Sequence, residues 1–175
     1  MIAAHKTSGI KTAIVTPSCI YGTGEGPIST KSMQLPLLVE AFEKRGKAFT
    51  IEEGRNVYGI VHVKDVVDAI IFLTEEALKP NGGKAVWGEE AYYYVENGEY
   101  SLADIAKAIA EVGYQKGVLK SPDMDQLSAE EATKFHPWAT LLWGMNARVK
   151  GSRLEALGWT PKKTMSVLEI AKEVI

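Results

Sequence analysis

Residues 10–27 read IKTAIVTPSCIYGTGEGP. Ala13, Ile14 and Val15 form a short apolar run halted by Pro17, the pattern of a strand buried on both faces. A glycine-rich loop from Gly22 to Pro27 follows. Beyond it Leu35, Leu38, Val39 and Phe42 recur at helical spacing toward Gly46, a natural residue for leaving a helix. Pro36 fits only the first turn of that helix. Upstream, Ile2 to Lys6 read as the tail of a helix ending at Gly9. Downstream, residues 48–54 read as a short strand and turn, and residues 59–63 as another strand. Asp65 then caps a helix to about Leu78, with Asp68 favouring its positive end and Val66, Ile70, Leu73 and Ala77 as its buried stripe. Pro80 to Gly83 is a loop signal. Tyr92 to Val95 is a strand by composition, with alternate rings on opposite sides. Ser101-x-x-Asp104 starts a helix to about Val112, ended by Gly113. Ser128-x-x-Glu131 and Ser166-x-x-Glu169 mark two later helix starts. His136-Pro137-Trp138 reads as a break, and a short helix near residues 152–157 stops at Gly158.

Composition narrows the class. Of 175 residues, 46% are apolar and 24% charged, which excludes disorder, collagen and coiled coil. The net charge is −2 with no basic tract, so nucleic-acid binding has no electrostatic footprint. A single cysteine, Cys19, excludes an internal disulfide and a multi-cysteine zinc site. The richest apolar stretch, Val66 to Leu73, contains Asp68 and is far short of a membrane span. The start lacks the apolar core of a signal peptide. The expectation is a soluble, cytoplasmic α/β protein whose partner is a small molecule, not nucleic acid or a membrane.

Individual motifs are bland when read one at a time. Gly22-x-Gly24-x-Gly26 invites a dinucleotide reading. That fingerprint, however, needs its third glycine three residues after the second, where this chain has Pro27. A flexible loop at the end of a strand is the alternative, and such a loop still lines a ligand crevice. His5, His62 and His136 show no metal-ligand spacing. His62 lies between Val61 and Val63 and reads as a hydrogen-bonded strand histidine before a catalytic one. Cys19 reads as a small buried hydrophobe, with no basic neighbour to lower its pKa. HPWATLLWG (136–144) reads as core, with a partner or lipid-like ligand surface as the other reading.

Taken in order, IKTAIVTPSCIYGTGEGP (10–27), YGIVHVKDVVDAI (58–70), YYYVENGEYSLADIAKAI (92–109) and SRLEALGWTP (152–161) resemble the C-terminal half of the extended short-chain dehydrogenase/reductase superfamily. That superfamily includes the NAD-dependent epimerases/dehydratases. The resemblance implies the C-terminal part of a doubly wound Rossmann-type sheet plus a mainly helical substrate-binding subdomain. Residues 1–64 would be the sheet remnant with substrate-side loops, and residues 65–175 the helical part, within one compact unit.

Such enzymes also carry a glycine-rich pyrophosphate loop and a Tyr-x-x-x-Lys pair, whose lysine lowers the phenol's pKa for proton transfer. No tyrosine of this chain has a lysine four residues on. The resemblance therefore implies a fragment with no catalytic residue of its own. Its parent would be an NAD- or NADP-dependent oxidoreductase or epimerase, and the chain alone would bind cofactor weakly or not at all. Pro17, Ser18, Cys19 and Ile20 match the turn at the nicotinamide end. Thr23, Ser32, Gln34, Arg55, Tyr58 and His62 match the substrate side. Tyr58 stands where nucleotide-sugar enzymes often place an arginine, which favours a less charged carbonyl or hydroxyl compound. A non-catalytic binding or interaction module derived from such an enzyme is the alternative. In either case an unpaired sheet edge predicts a homo-oligomer.

Overall fold

A computed structural model describes residues 2–175. In chain order the elements are α1 (Ile2–Ser8), β1 (Ile14–Pro17), β2 (Cys19–Tyr21), α2 (Gln34–Arg45), β3 (Ala48–Ile51), β4 (Val57–His62) and α3 (Val63–Leu78). After a 3₁₀ turn at Pro80–Gly82 come β5 (Tyr92–Val95), β6 (Glu99–Ser101), α4 (Leu102–Gln115), β7 (Met124–Leu127) and α5 (Ala129–Thr133). A π-helical turn (Thr140–Gly144), α6 (Ser152–Ala156) and α7 (Val167–Val174) complete the chain. The described strands make three sheets: β1 with β5, parallel; β4 between β2, parallel, and β6, antiparallel; and β3 with β7, parallel. Each sheet contains a strand from residues 1–64 and one from residues 65–175, so the two stretches share all three sheets.

Strand β4 sits at the centre because its side chains alternate. Tyr58 and Ile60 enter one hydrophobic core with α2, β3, α4 and α7, whereas Val61 enters a second with Val66, Leu73, Tyr93, Leu154 and Trp159. Local signals set the helix ends. Gly46 adopts φ +78°, and its N–H returns to the carbonyls of Phe42 and Glu43 at 2.7 and 3.1 Å. The Ser128 and Ser166 hydroxyls accept from the amides of Glu131 and Glu169, whose carboxylates accept the cap N–H in return.

Several expectations are corrected. β1 is only half-buried, because it pairs with β5 along one edge alone. Helix α3 starts at Val63 and is capped by His62, whose Nδ1 accepts from the Lys64 amide at 3.1 Å. Its inner side is Asp65, Val66, Ala69, Leu73 and Glu76, and Ile70 faces outward. Asp65 is inside because it holds distant donors, and the half-buried Asp68 beside it does the same. Asp65 accepts from the backbone amides of Lys162 and Lys163, each at 3.0 Å. Asp68 accepts from Trp159 Nε1 and Lys162 Nζ, each at 2.9 Å. Helix α4 runs through Gly113 to Gln115, and Leu119 packs 3.0 Å from where a Cβ on Gly113 would stand. In 136–144, Ala139 and Trp143 are core, whereas Trp138 and Leu141 are exposed.

Candidate functional site

The chain changes ladders at Ser18. β1 pairs with β5 up to Pro17, and from Cys19 the chain pairs with β4, setting Cys19, Ile20 and Tyr21 beside Ile60, Val61 and His62. Ser18 pins the switch: its N–H and its hydroxyl both donate to the Val95 carbonyl, at 2.9 and 3.1 Å. Crevices form where neighbouring strands lead the chain apart. Here a cavity of about 440 Å³ opens between Pro17–Ile20, Val63 and the loop carrying Gly22 to Gln34.

The lining chemistry is mostly apolar and neutral. Burial pushes the Cys19 thiol up to about 12, so it stays protonated and is no nucleophile near neutral pH. The Ser18 hydroxyl is engaged by Val95. The Gln34 side-chain amide donates to the Leu142 carbonyl, which also accepts from Tyr58 Oη at 2.7 Å. Trp143 Nε1 donates to the Gln34 carbonyl at 3.3 Å, and Asn56 Nδ2 to the Trp143 carbonyl at 2.9 Å. The π turn is thereby strapped behind one wall of the cavity. Lys31 is the one charged side chain of the lining.

The expected site residues separate into groups. Pro17, Ser18, Cys19, Ile20, Ser32 and Gln34 line this cavity together. Thr23 and His62 line a second, more polar hollow beyond Gly22, with Lys64, Lys163 and Glu173. There His62 Nε2 lies 3.7 Å from the Glu173 carboxylate. The Tyr21 ring packs against the imidazole edge to face at 5.2 Å, and Tyr21 Oη donates to the Lys163 carbonyl at 3.0 Å. The structure does not bring Arg55 or Tyr58 to the cavity. Arg55 is exposed and pairs with Glu53 at 2.6 Å beside Gly144 and Asn146. Tyr58 is a core side chain whose phenol is held by Leu142, and desolvation pushes its pKa up. Thr30, Met33 and Val63 also line the cavity. Their place follows from the fold of the loop, which carries no residue signature.

The NAD(P) expectation can be tested against these residues. Pro17, Ser18, Cys19 and Ile20 form an uncharged stretch of the cavity wall. The Gly22–Gly26 loop does not suit the pyrophosphate, because β2 ends at Tyr21 and α2 begins only at Gln34. Thus no helix N-terminus follows the glycines closely enough to meet a diphosphate.

Residues 1–86 match the model of the NAD dependent epimerase/dehydratase family. The chain is thus similar to this family over residues 1–86. The chain is 31% identical over 159 residues to the oxidase ucsJ of Acremonium sp, spanning 87% of this chain and 46% of that protein. It is 27% identical over 124 residues to 3beta-hydroxysteroid-dehydrogenase/decarboxylase isoform 1 of Arabidopsis thaliana, of which it spans 27%. Its fold matches UDP-glucose 4-epimerase of Thermotoga maritima, solved with UDP-glucose, at a TM-score of 0.59 and 18% identity. It matches UDP-N-acetylglucosamine 4-epimerase of Methanobrevibacter ruminantium at 0.62 and 14%. The match covers 97% of this chain in both cases, and 47% and 48% of those chains. The chain thus spans less than half the length of the curated relatives it matches. Its α/β fold is of the Rossmann-type epimerase/dehydratase kind. Among the described residues no helix is long and apolar enough to cross a membrane.

Proposed function

We propose that this chain is the substrate-binding part of an NAD(P)-dependent oxidoreductase or epimerase acting on a small carbonyl or hydroxyl compound. On this reading it is not catalytically competent alone. The observation that carries it is the cavity at Ser18, a neutral, mostly apolar pocket at the ladder switch of a fold shared with epimerases and dehydratases. Pro17, Ser18, Cys19 and Ile20 would face the nicotinamide end. Ser32 and Gln34 would face the substrate, with Thr23 and His62 in the hollow beyond Gly22. When bound, the cofactor supplies hydride transfer. This chain's contribution is an apolar wall that excludes water, plus the Gln34 amide, which is oriented by the Leu142 carbonyl. The cavity lining, uncharged apart from Lys31, favours an uncharged ring ketone or alcohol. We place the protein in the cytoplasm, with a small molecule rather than nucleic acid as its ligand.

Titration of the chain with NADH and with NADPH, followed by calorimetry and melting temperature, tests the incompetence. Neither should bind below the high micromolar range, and tight binding of either overturns the reading. In isolation the open edge of β1 leads to self-association. Sedimentation should show a dimer at high micromolar concentration, and a monomer there removes the oligomer from the proposal.

A further inference from the structure

The hollow beyond Gly22 has a volume of about 570 Å³ and no lining residue in common with the cavity at Ser18. The charges around it are matched in pairs, with one exception of each sign. Lys64 Nζ pairs with Glu25 at 2.6 Å, and Lys162 Nζ with Asp68 at 2.9 Å. The Lys163 ammonium has no ion pair or hydrogen bond among the described residues. Only its backbone is engaged, by Asp65, Tyr21 and Asn97. The Glu173 carboxylate meets no lysine or arginine among the described residues, and the group beside it is the His62 ring. Lys163 and Glu173 line the same hollow, and they are not within ion-pair distance of each other.

His62 adds a donor. Its side chain is buried, and Nδ1 accepts from the Lys64 amide at 3.1 Å, so the imidazole hydrogen sits on Nε2. The Glu173 oxygen is 3.7 Å from Nε2, too far to accept that hydrogen, and no other group among the described residues accepts it. That N–H is free for a ligand in the hollow. A lone anion drawn to Lys163 and this N–H would face the like charge of Glu173, and a lone cation drawn to Glu173 would face Lys163. Among the described residues no three His, Cys, Asp or Glu side chains converge to hold a metal ion. A small molecule carrying both signs satisfies all three groups, and the hollow has the size of an ordinary ligand pocket.

We propose that this hollow binds a zwitterionic α-amino acid, with its ammonium on Glu173, its carboxylate on Lys163 and the His62 Nε2–H, and its side chain along Met165. This goes beyond the function proposed above: it gives the hollow a ligand of its own and stands independently of the cavity at Ser18.

Calorimetric titration of the full chain with L-leucine tests this, beside N-acetyl-L-leucine, which has no ammonium, and L-leucinamide, which has no carboxylate. L-leucine should bind saturably, one molecule per chain, in the millimolar range or tighter. Both analogues should bind at least about tenfold more weakly. Lys163→Gln and Glu173→Gln should each weaken L-leucine by a similar factor with the melting temperature unchanged. Ser32→Ala, in the cavity at Ser18, should leave its binding as it is. No saturable binding of L-leucine, an analogue that binds as well, binding indifferent to both charge variants, or binding weakened by Ser32→Ala overturns the proposal. Where a variant loses its fold the two analogues decide, because they need only the unaltered chain. The NADH titration above reads the cavity at Ser18, so its outcome leaves this one standing.

Discussion

At the scale of single residues, the cavity is defined by groups made unreactive. Cys19 is the clearest case, since a thiol pushed up to about 12 has almost no thiolate at neutral pH. A maleimide reagent at pH 7.5 should therefore leave the folded chain unmodified for hours and label it within minutes in urea, as followed by mass spectrometry. Gly22 is equally constrained. It adopts φ +90°, and a Cβ there would stand 2.4 Å from His62 Nε2. Gly22→Ala should lower stability by about 1–3 kcal/mol in urea melts, whereas alanine at Gly26, where a Cβ meets nothing, should be close to neutral. The reading of Cys19 as a buried hydrophobe is half right: it is partly buried, packed against the first core while lining the cavity. The sequence did not reveal His62 as a helix cap or Asp65 as the anchor of Lys162 and Lys163. Those roles depend on partners brought near only by folding.

At the scale of elements, local rules read well and long-range ones poorly. The capping boxes at Ser128 and Ser166 were legible because each is closed within four residues. Ser166→Ala should cost about 1 kcal/mol by chemical denaturation, felt through the packing of α7 on α4. Strands β2 and β7 were not legible. The first has three residues, and the second reads Met-Asp-Gln-Leu, with its ladder partner β3 far back in the chain. The outer side of α3 misled for a different reason: Val66 and Ile70 are four apart, yet the buried side is centred on Ala69, one step around the helix. Tyr58→Phe removes one of the two donors on the Leu142 carbonyl and should cost about 0.5–1.5 kcal/mol. It should also shift the emission of Trp143, whose neighbouring residue supplies that carbonyl.

At the scale of the whole molecule, the ladders depend on charge as well as packing. Asp125 on β7 accepts from Lys47 Nζ at 2.5 Å and from the Arg45 guanidinium, and these two groups hold its carboxyl below the usual carboxylate range. A carboxylate with a depressed folded pKa stabilises above its unfolded value, near 4, and loses that contribution as the pH falls through the folded value. Melting temperature should thus be insensitive to this group from pH 8 to about 5 and fall below about pH 4. Asp125→Asn should lower it at pH 7 and flatten its acid decline. Glu76, held down by Lys79 and the Lys84 amide, acts in the same direction beside the 3₁₀ turn.

The distribution of the ladders also bears on how the chain acquires its shape during synthesis. Ile14 must await Tyr92, and Ala48 must await Met124, before either strand has a neighbour. Contacts so distant along the chain slow folding. A ribosome therefore releases strands that stay unsatisfied until most of the polypeptide has emerged, and the nascent protein should depend on chaperones that hold apolar segments apart.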